Sequence, residues 1–407
     1  MPPASRRRQN IFGRFMSRTN LKNWGLAYAG DQSLLRLPRR ALLISRTSRA
    51  PTPSTPWVRT VCEASRISAA AGEVLIVGAE RTPFDVALAV TRRIGGAALV
   101  VLDAEPDLTW HDAYEAVLPE RRLLVWPNSG RRATDKQKQT EIGQREANGG
   151  LPTRDALMGE LATCAWALQL RKGGNMETVA RALEARCGKV DSSFALSPFR
   201  RERAPDKRIA LPSVTLASPN WAYLTHYTRG PEGHWPGESR AAYAEWLAFG
   251  APGERRDAYA ALLRILAMRR VLGSGRLLPT GEPMVSFTAR SPCALSELVR
   301  WRCGLQHWTF QPYGLAVKRE ALQALGARAV DYVGTAELKA WPPSERCFAQ
   351  KHEPPKIDWS GEAEWRLRGD FCFQSLSDSV IRILVPTATE AMRVLQDTGL
   401  VATAIYE

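Results

Sequence analysis

The stretch EVLIVGAERTPFDVALAVTRRIGGAALVVLDAE, Glu73 to Glu105, decides the first half of the fold. EVLIVGAE reads as a buried strand, because its apolar residues run together instead of alternating with polar ones. RTPFDVALAVTRRIG then carries apolar residues at helical spacing, and AALVVLDAE is a second unbroken apolar run. A strand, a helix and a strand in this order predict a parallel sheet with helices on both faces.

The same texture extends outward. ALLIS (41–45) and RRLLVWP (121–127) add strands. The segment from Arg154 to Val190 reads as helix, strand, Gly-Gly turn and helix. Residues 1–40 are basic and irregular and are read as a leader, 41–190 as a Rossmann-like domain, and 191–211, rich in Pro, Ser and Arg, as a linker. From 212 to 407 the pattern becomes α+β. WAYLTHYT, EPMVSFTA, RAVDYV, EAEWRLRG and VIRILVP read as strands, and AAYAEWLAF and AYAALLRILAMRRVLGSG as helices, the latter stopped by Gly273 and Gly275.

Two domains suit a chain of 407 residues. A hydrophobic share of 44% with 24% charged residues reads as soluble and globular. No apolar run approaches the ~20 residues that span a bilayer, and no apolar stretch follows Arg6, Arg7 and Arg8 as in a signal peptide, so the expected location is cytoplasmic. The seven cysteines are scattered, without C-x-x-C spacing and without a histidine in metal-ligand register, which predicts reduced thiols and no metal. The net charge of +15 has two readings. One is a polyanionic partner, nucleic acid first among them, and the other is an arginine-rich composition that reflects only coding bias.

Neither G-x-G-x-x-G nor G-x-x-x-x-G-K-[ST] occurs. Two turns still stand where an open parallel sheet binds ligands, at strand carboxyl ends against helix N-termini. Gly78 and Arg81 mark one; Gly173 and Gly174, after Arg171 and Lys172, mark the other. Taken singly, each glycine reads as a tight turn. Together LLIS, LIVGAERTPFDVALA, ALVVLD and the segment Arg154–Leu183 resemble the DprA-like, or SLOG, branch of Rossmann folds, over about 150 residues. The resemblance implies a nucleotide or single-stranded DNA site framed by Arg154, Gly173 and Gly174. It also implies, as one alternative, nucleotide N-glycosidase chemistry in this domain. The chain departs from the pattern in reading GGNME where the family has a Gly-Ser or Gly-Thr run.

In the second half three separated segments stand out: LTHYT (224–228), MVSFTARSPCAL (284–295) and GEAEWRLRG (361–369). Alone, each is ordinary. In this order HYT, FTARSPCAL and AEWRL resemble the ADP-ribosyltransferase superfamily, with DarT-type DNA ADP-ribosyltransferases the nearest likeness, over roughly residues 212–390. The resemblance implies NAD as substrate and Glu364 as the catalytic carboxylate. It implies that His226, Tyr227 and Thr228 contact the cofactor ribose and that Ser286, Phe287 and Thr288 line the nicotinamide side. Cleaving the nicotinamide–ribose bond passes through an oxocarbenium-like centre that a carboxylate stabilises. Glu362 shares the strand face of Glu364 if the strand is regular, either as second acid of a pair or as the catalytic one. Arg269, Arg270 and Arg276 are alternatives for gripping the pyrophosphate. Trp301, Arg302 and Trp308 are either core or a surface that stacks an unpaired base. The resemblance implies a toxin or phage-defence effector that modifies nucleic acid, DNA favoured. The alternative is a non-catalytic protein that binds nucleic acid or senses a nucleotide.

Overall fold

A computed structural model describes residues 26–45, 47–48, 50–107, 110, 114–115, 117–127, 153–187, 189–200, 220–251, 253–275, 278, 280–302 and 307–406. Residues 1–25 of the leader, 201–211 of the linker, and Arg276 lie outside them. The chain divides into two compact units, one of Met1–Arg200 with Gly233–Glu254 and one of Arg201–Glu232 with Arg255–Glu407.

The first unit contains, among the described residues, a seven-stranded sheet ordered β1-β5-β4-β3-β2-β6-β7. Its strands are β1 (Leu26–Gly30), β2 (Arg39–Ile44), β3 (Val74–Gly78), β4 (Ala97–Val101), β5 (Arg121–Pro127), β6 (Cys164–Gln169) and β7 (Val190–Asp191). All neighbours are parallel except β1, which runs antiparallel to β5. Every residue of β3, β4 and β6 is buried, which is why these strands read as unbroken apolar runs. The helices are α1 (Pro56–Ala70), α2 (Thr82–Arg93), α3 (Thr153–Leu161) and α4 (Asn175–Cys187). Strand order runs outward in both directions from β2 and β6, so right-handed crossovers place α1 and α2 on one face and α4 on the other.

Two boundaries are corrected. Residues 26–40 are not leader: Leu26 and Tyr28 alternate into the core and carry β1 as the sheet's antiparallel edge. The helix α5 (Arg240–Phe249), expected in the second domain, belongs to the first unit, where Ala241, Ala244 and Leu247 join the core that α1 and α2 build. Ser239 caps it, its hydroxyl accepting from the Ala242 N–H at 3.1 Å. Arg240 donates to the buried Asp85 of α2 at 2.6 Å and lies over the Tyr114 ring. Burial pushes the Asp85 carboxyl up to about 7, against the pull of Arg240.

The second unit is built on another seven-stranded sheet, ordered β14-β17-β10-β8-β13-β19-β20 among the described residues. In chain order its strands are β8 (Tyr223–Tyr227), β9 (Arg270–Val271), β10 (Met284–Thr288), β11 (Trp301–Arg302), β12 (His307–Trp308), β13 (Gly314–Lys318) and β14 (Arg328–Ala329). They continue with β15 (Asp331–Val333), β16 (Ala349–Lys351), β17 (Glu364–Arg368), β18 (Phe371–Cys372), β19 (Ile381–Val385) and β20 (Ala402–Ala404). The large sheet is antiparallel except for β19 and β20. Period-two alternation gives it two apolar faces. Leu224, Val285, Phe287, Leu315 and Leu367 pack with helices α6 (Ala258–Met268) and α7 (Ala388–Thr398) through Leu262, Leu266 and Val394. Tyr223, Tyr227, Ala316 and Leu384 pack on the other face with Trp221, Leu295, Ile405 and Tyr406. Helix α6 stops at Arg269, in the left-handed region at φ 48°, four residues before the glycine expected to end it.

No helix among the described residues is long and apolar enough to cross a membrane.

Candidate active site

The three segments that lie far apart in sequence become adjacent strands, β17 beside β10 beside β8. Thr288 pairs with Glu364 on one side and with Thr225 on the other, and Ser286 pairs with Arg366. Residues in register share a face, so Glu364, Thr288, Thr225, Ser286 and Arg366 look out on one side of the sheet. There the exposed Ser286 hydroxyl donates to Glu364 Oε1 at 2.7 Å. Arg366, buried at 3% exposure, grips both oxygens of Glu364 at 2.9 Å through Nε and Nη2. This bidentate pairing fixes the Glu364 side chain in one orientation. Arg366 is itself fixed by the Cys347 carbonyl at 2.7 Å and the Gln350 side chain at 2.8 Å. The Glu364 N–H donates to the Tyr332 hydroxyl at 3.0 Å.

His226 departs from the expected arrangement. It pairs with Leu315 and meets the Phe287 ring edge-on, 6.0 Å between centroids, so it belongs to the face opposite Glu364. Its Nδ1 lies 2.9 Å from the Ser286 carbonyl, and a carbonyl only accepts, so Nδ1 carries the proton. Burial lowers the ring's pKa below the ordinary value, the Ser286 carbonyl opposing, which leaves a neutral imidazole with Nε2 as acceptor.

Other expected cofactor contacts are taken up by the fold. Thr228 is buried and donates to the Ala258 carbonyl at 2.8 Å, while Tyr227 stacks on Phe310 with 5.3 Å between centroids. Burial raises the Tyr227 pKa. Phe287 is core. Thr288 donates to the Glu362 carbonyl at 2.6 Å and accepts from the Arg290 N–H at 3.1 Å, which shapes the turn before β17. Arg269 lies over the Phe373 ring with its guanidinium 4.0 Å from Asp378, and Arg270 pairs with Asp370 at 2.5 Å.

Glu362 is not on the strand. It ends a short 3-10 turn, Ser360–Glu362, and Ala363 follows in the left-handed region at φ 43°. The reversal still leaves the two carboxylates close: burial and the charge of Glu364 raise the Glu362 pKa, against Arg302, Arg300 and Arg366. Arg302 sits 4.0 Å from Glu362 and 4.1 Å above the Trp359 ring. A carboxyl group clamped by a guanidinium thus neighbours one that holds a proton more readily than usual.

No family model and no curated protein matches the chain. Two solved structures are similar in part. DNA processing protein A from Helicobacter pylori, described for its single-stranded DNA binding mode, is 15% identical over 40% of this chain and 69% of that one, at a TM-score of 0.29. The DNA processing protein A (DprA) of Streptococcus pneumoniae is 14% identical over 45% of this chain and 65% of that one, at a TM-score of 0.30. Likenesses at this level carry no argument about fold or activity.

In the first unit the expected nucleotide contacts are engaged within the protein. Arg154 is buried and donates to the Ala79 carbonyl at 3.1 Å and to Asp155 at 3.0 Å, with Asp103 at 3.6 Å. Gly78 is there because a side chain would meet Arg154 Cδ at 2.7 Å. Gly173, at φ 68°, donates its N–H to Glu177 at 2.6 Å, and Gly174 donates to the Arg171 carbonyl at 2.9 Å. Two of the donors that would cradle a phosphate at the start of α4, the N–H groups of Gly173 and Gly174, are therefore occupied. Arg81 is exposed at the start of α2, and Arg171 and Lys172 are exposed before α4. Among the described residues no cluster of His, Cys, Asp and Glu is arranged to hold a metal.

Sequence reasoning missed Arg366 and Tyr332. The signal for Arg366 was present in EWRLR, where Glu364 and Arg366 share a face at i and i+2. Nothing local to Tyr332 announced its contact with the Glu364 N–H.

Proposed function

We propose that the chain binds nucleic acid and that its second unit transfers ADP-ribose from NAD to it. The observation that carries the transfer reading is the meeting of Ser286 and Glu364 across β10 and β17, from segments 78 residues apart. The nicotinamide of NAD is cationic, so it departs as a neutral molecule with the electrons of the C1′–N bond and needs no general acid. A carboxylate is the suitable group beside the developing oxocarbenium ion, and Arg366 and Ser286 hold Glu364 in place for that role. The incoming nucleophile gives its electron pair to C1′ and its proton to Glu362, whose raised pKa suits a base. The net charge of +15 supports a polyanionic acceptor, and such an activity fits a toxin or defence effector.

The test is nicotinamide release from NAD by the full chain, with and without mixed oligonucleotides read by mass. Glu364→Gln is expected to reduce turnover by about a hundredfold or more with the fold intact by circular dichroism. Turnover retained in that variant would sink the transfer reading.

A second reading is binding without turnover. It is favoured by His226 facing away from Glu364 and by the three hydrogen bonds that Glu364 already accepts through its side chain. An oligonucleotide that binds and gains no mass with NAD supports it.

A further inference from the structure

We infer that the ribbon β15–β16 braces the transfer site, with Gln350 and Tyr332 as positioning residues for Glu364, a role that rests on the reading of Glu364 as the transfer carboxylate.

The ribbon is a two-stranded parallel sheet separate from the large one. Tyr332 and Gln350 are partners in its register, so they stand side by side and share a face. They reach Glu364 by different routes. The Tyr332 hydroxyl accepts from the Glu364 N–H at 3.0 Å, and the Val330 N–H donates to the Glu364 carbonyl at 2.9 Å. One short segment thus holds the main chain of Glu364 at both ends.

Gln350 acts through Arg366. A guanidinium carries five N–H donors in one fixed plane. In Arg366 two of them go to the Glu364 carboxylate, at 2.9 Å each. The others go to residues 347–350: the Cys347 carbonyl at 2.7 Å, the Ala349 carbonyl at 3.4 Å and the Gln350 side-chain oxygen at 2.8 Å. Every donor of this buried side chain is therefore engaged. The rigid plane carries the position of β16 over to the carboxylate, as a supporting shell does for a reacting group. The far end of the ribbon is tied as well. The His352 N–H donates to the Val333 carbonyl at 2.8 Å, and Glu353 accepts from the Thr335 hydroxyl and pairs with Lys351 at 2.9 Å. Burial, and after it the charges of Glu364 and Glu362, raise the Tyr332 pKa against the Glu364 N–H and Arg366, so its hydroxyl keeps its proton. Groups that orient a carboxylate without touching NAD act on the chemical step, where a displacement of about 1 Å costs about 10²-fold.

Nicotinamide release from NAD, resolved into kcat and KM, tests this in the full chain. Gln350→Ala and Tyr332→Phe are each expected to lower kcat by about tenfold to a hundredfold with KM for NAD unchanged. Gln350→Glu, which keeps an oxygen for Arg366, is expected to retain most of the turnover, and Gln350→Met carries the test if the alanine variant does not fold. Adding Gln350→Ala to Glu364→Gln is expected to cost nothing further, because Gln350 acts only through Glu364. Unchanged kcat in folded single variants, a rise in KM alone, or an additive loss in the double variant overturns the brace. Absence of turnover in the unsubstituted chain would sink the transfer reading. The brace is then decided by crystal structures alone: a Glu364 carboxylate displaced in Gln350→Ala and in place in Gln350→Glu supports it, and one in place in both overturns it.

Discussion

Glu362 and Glu364 are two residues apart and differ in what holds them. Glu364 accepts from Arg366 and Ser286, whereas Glu362 has Arg302 only at 4.0 Å and stands partly desolvated beside a second negative charge. The sign of the resulting pH dependence follows directly. A base works when deprotonated, so transfer is expected to rise with pH through the pKa of Glu362, and that limb lies above the ordinary glutamate range. Glu362→Gln is expected to remove the limb and to lower transfer by about 10²–10⁴-fold. A pH profile of acceptor mass gain in both proteins checks this; an unchanged acid limb in the variant assigns the titration elsewhere. Which carboxylate did which task was not legible in sequence. The pattern AEW reads as a regular strand, and only the left-handed turn at Ala363 separates Glu362 from it.

At the scale of elements, Gly78 couples β3 to α3. A Cβ there would meet Arg154 Cδ at 2.7 Å and Met158 Sδ at 3.1 Å, and Arg154 cannot swing away without leaving Asp155 and the Ala79 carbonyl. Gly78→Ala is expected to destabilise the first unit by about 1–3 kcal/mol, read as a lower melting midpoint by circular dichroism. An unchanged midpoint would mean that Arg154 gives way freely. This sheet was the most legible part of the molecule, because strands buried on both faces must be apolar throughout and the helices between them keep their own period. The edge strand β1 was not, since LAYAG is short, has one partner, and follows a basic stretch. Helix α5 was read correctly as a helix and assigned to the other unit, because amphipathicity states that a face is buried and not against what. The same limit applies to the site. Strand pattern placed LTHYT, MVSFT and EWRLR as strands, but the register that sends His226 to one face and Glu364 to the other is set by pairing, which no single strand encodes.

For the whole chain, 56 lysines and arginines against 41 aspartates and glutamates leave a field that attracts any polyanion before a contact forms. Part of that charge is engaged internally: Arg154, Arg240 and Arg366 are each paired with a carboxylate in or near a core. The cations left to meet phosphate are the exposed ones, Arg81, Arg171, Lys172 and Arg300 among them. If they act, binding releases counterions and the logarithm of the affinity falls linearly with the logarithm of salt concentration. A fourfold rise in salt is then expected to weaken oligonucleotide binding by about tenfold or more, as for a protein meeting three or more phosphates. Anisotropy titrations of a labelled oligonucleotide at several salt concentrations give that slope, and a slope near zero would exclude the charge reading.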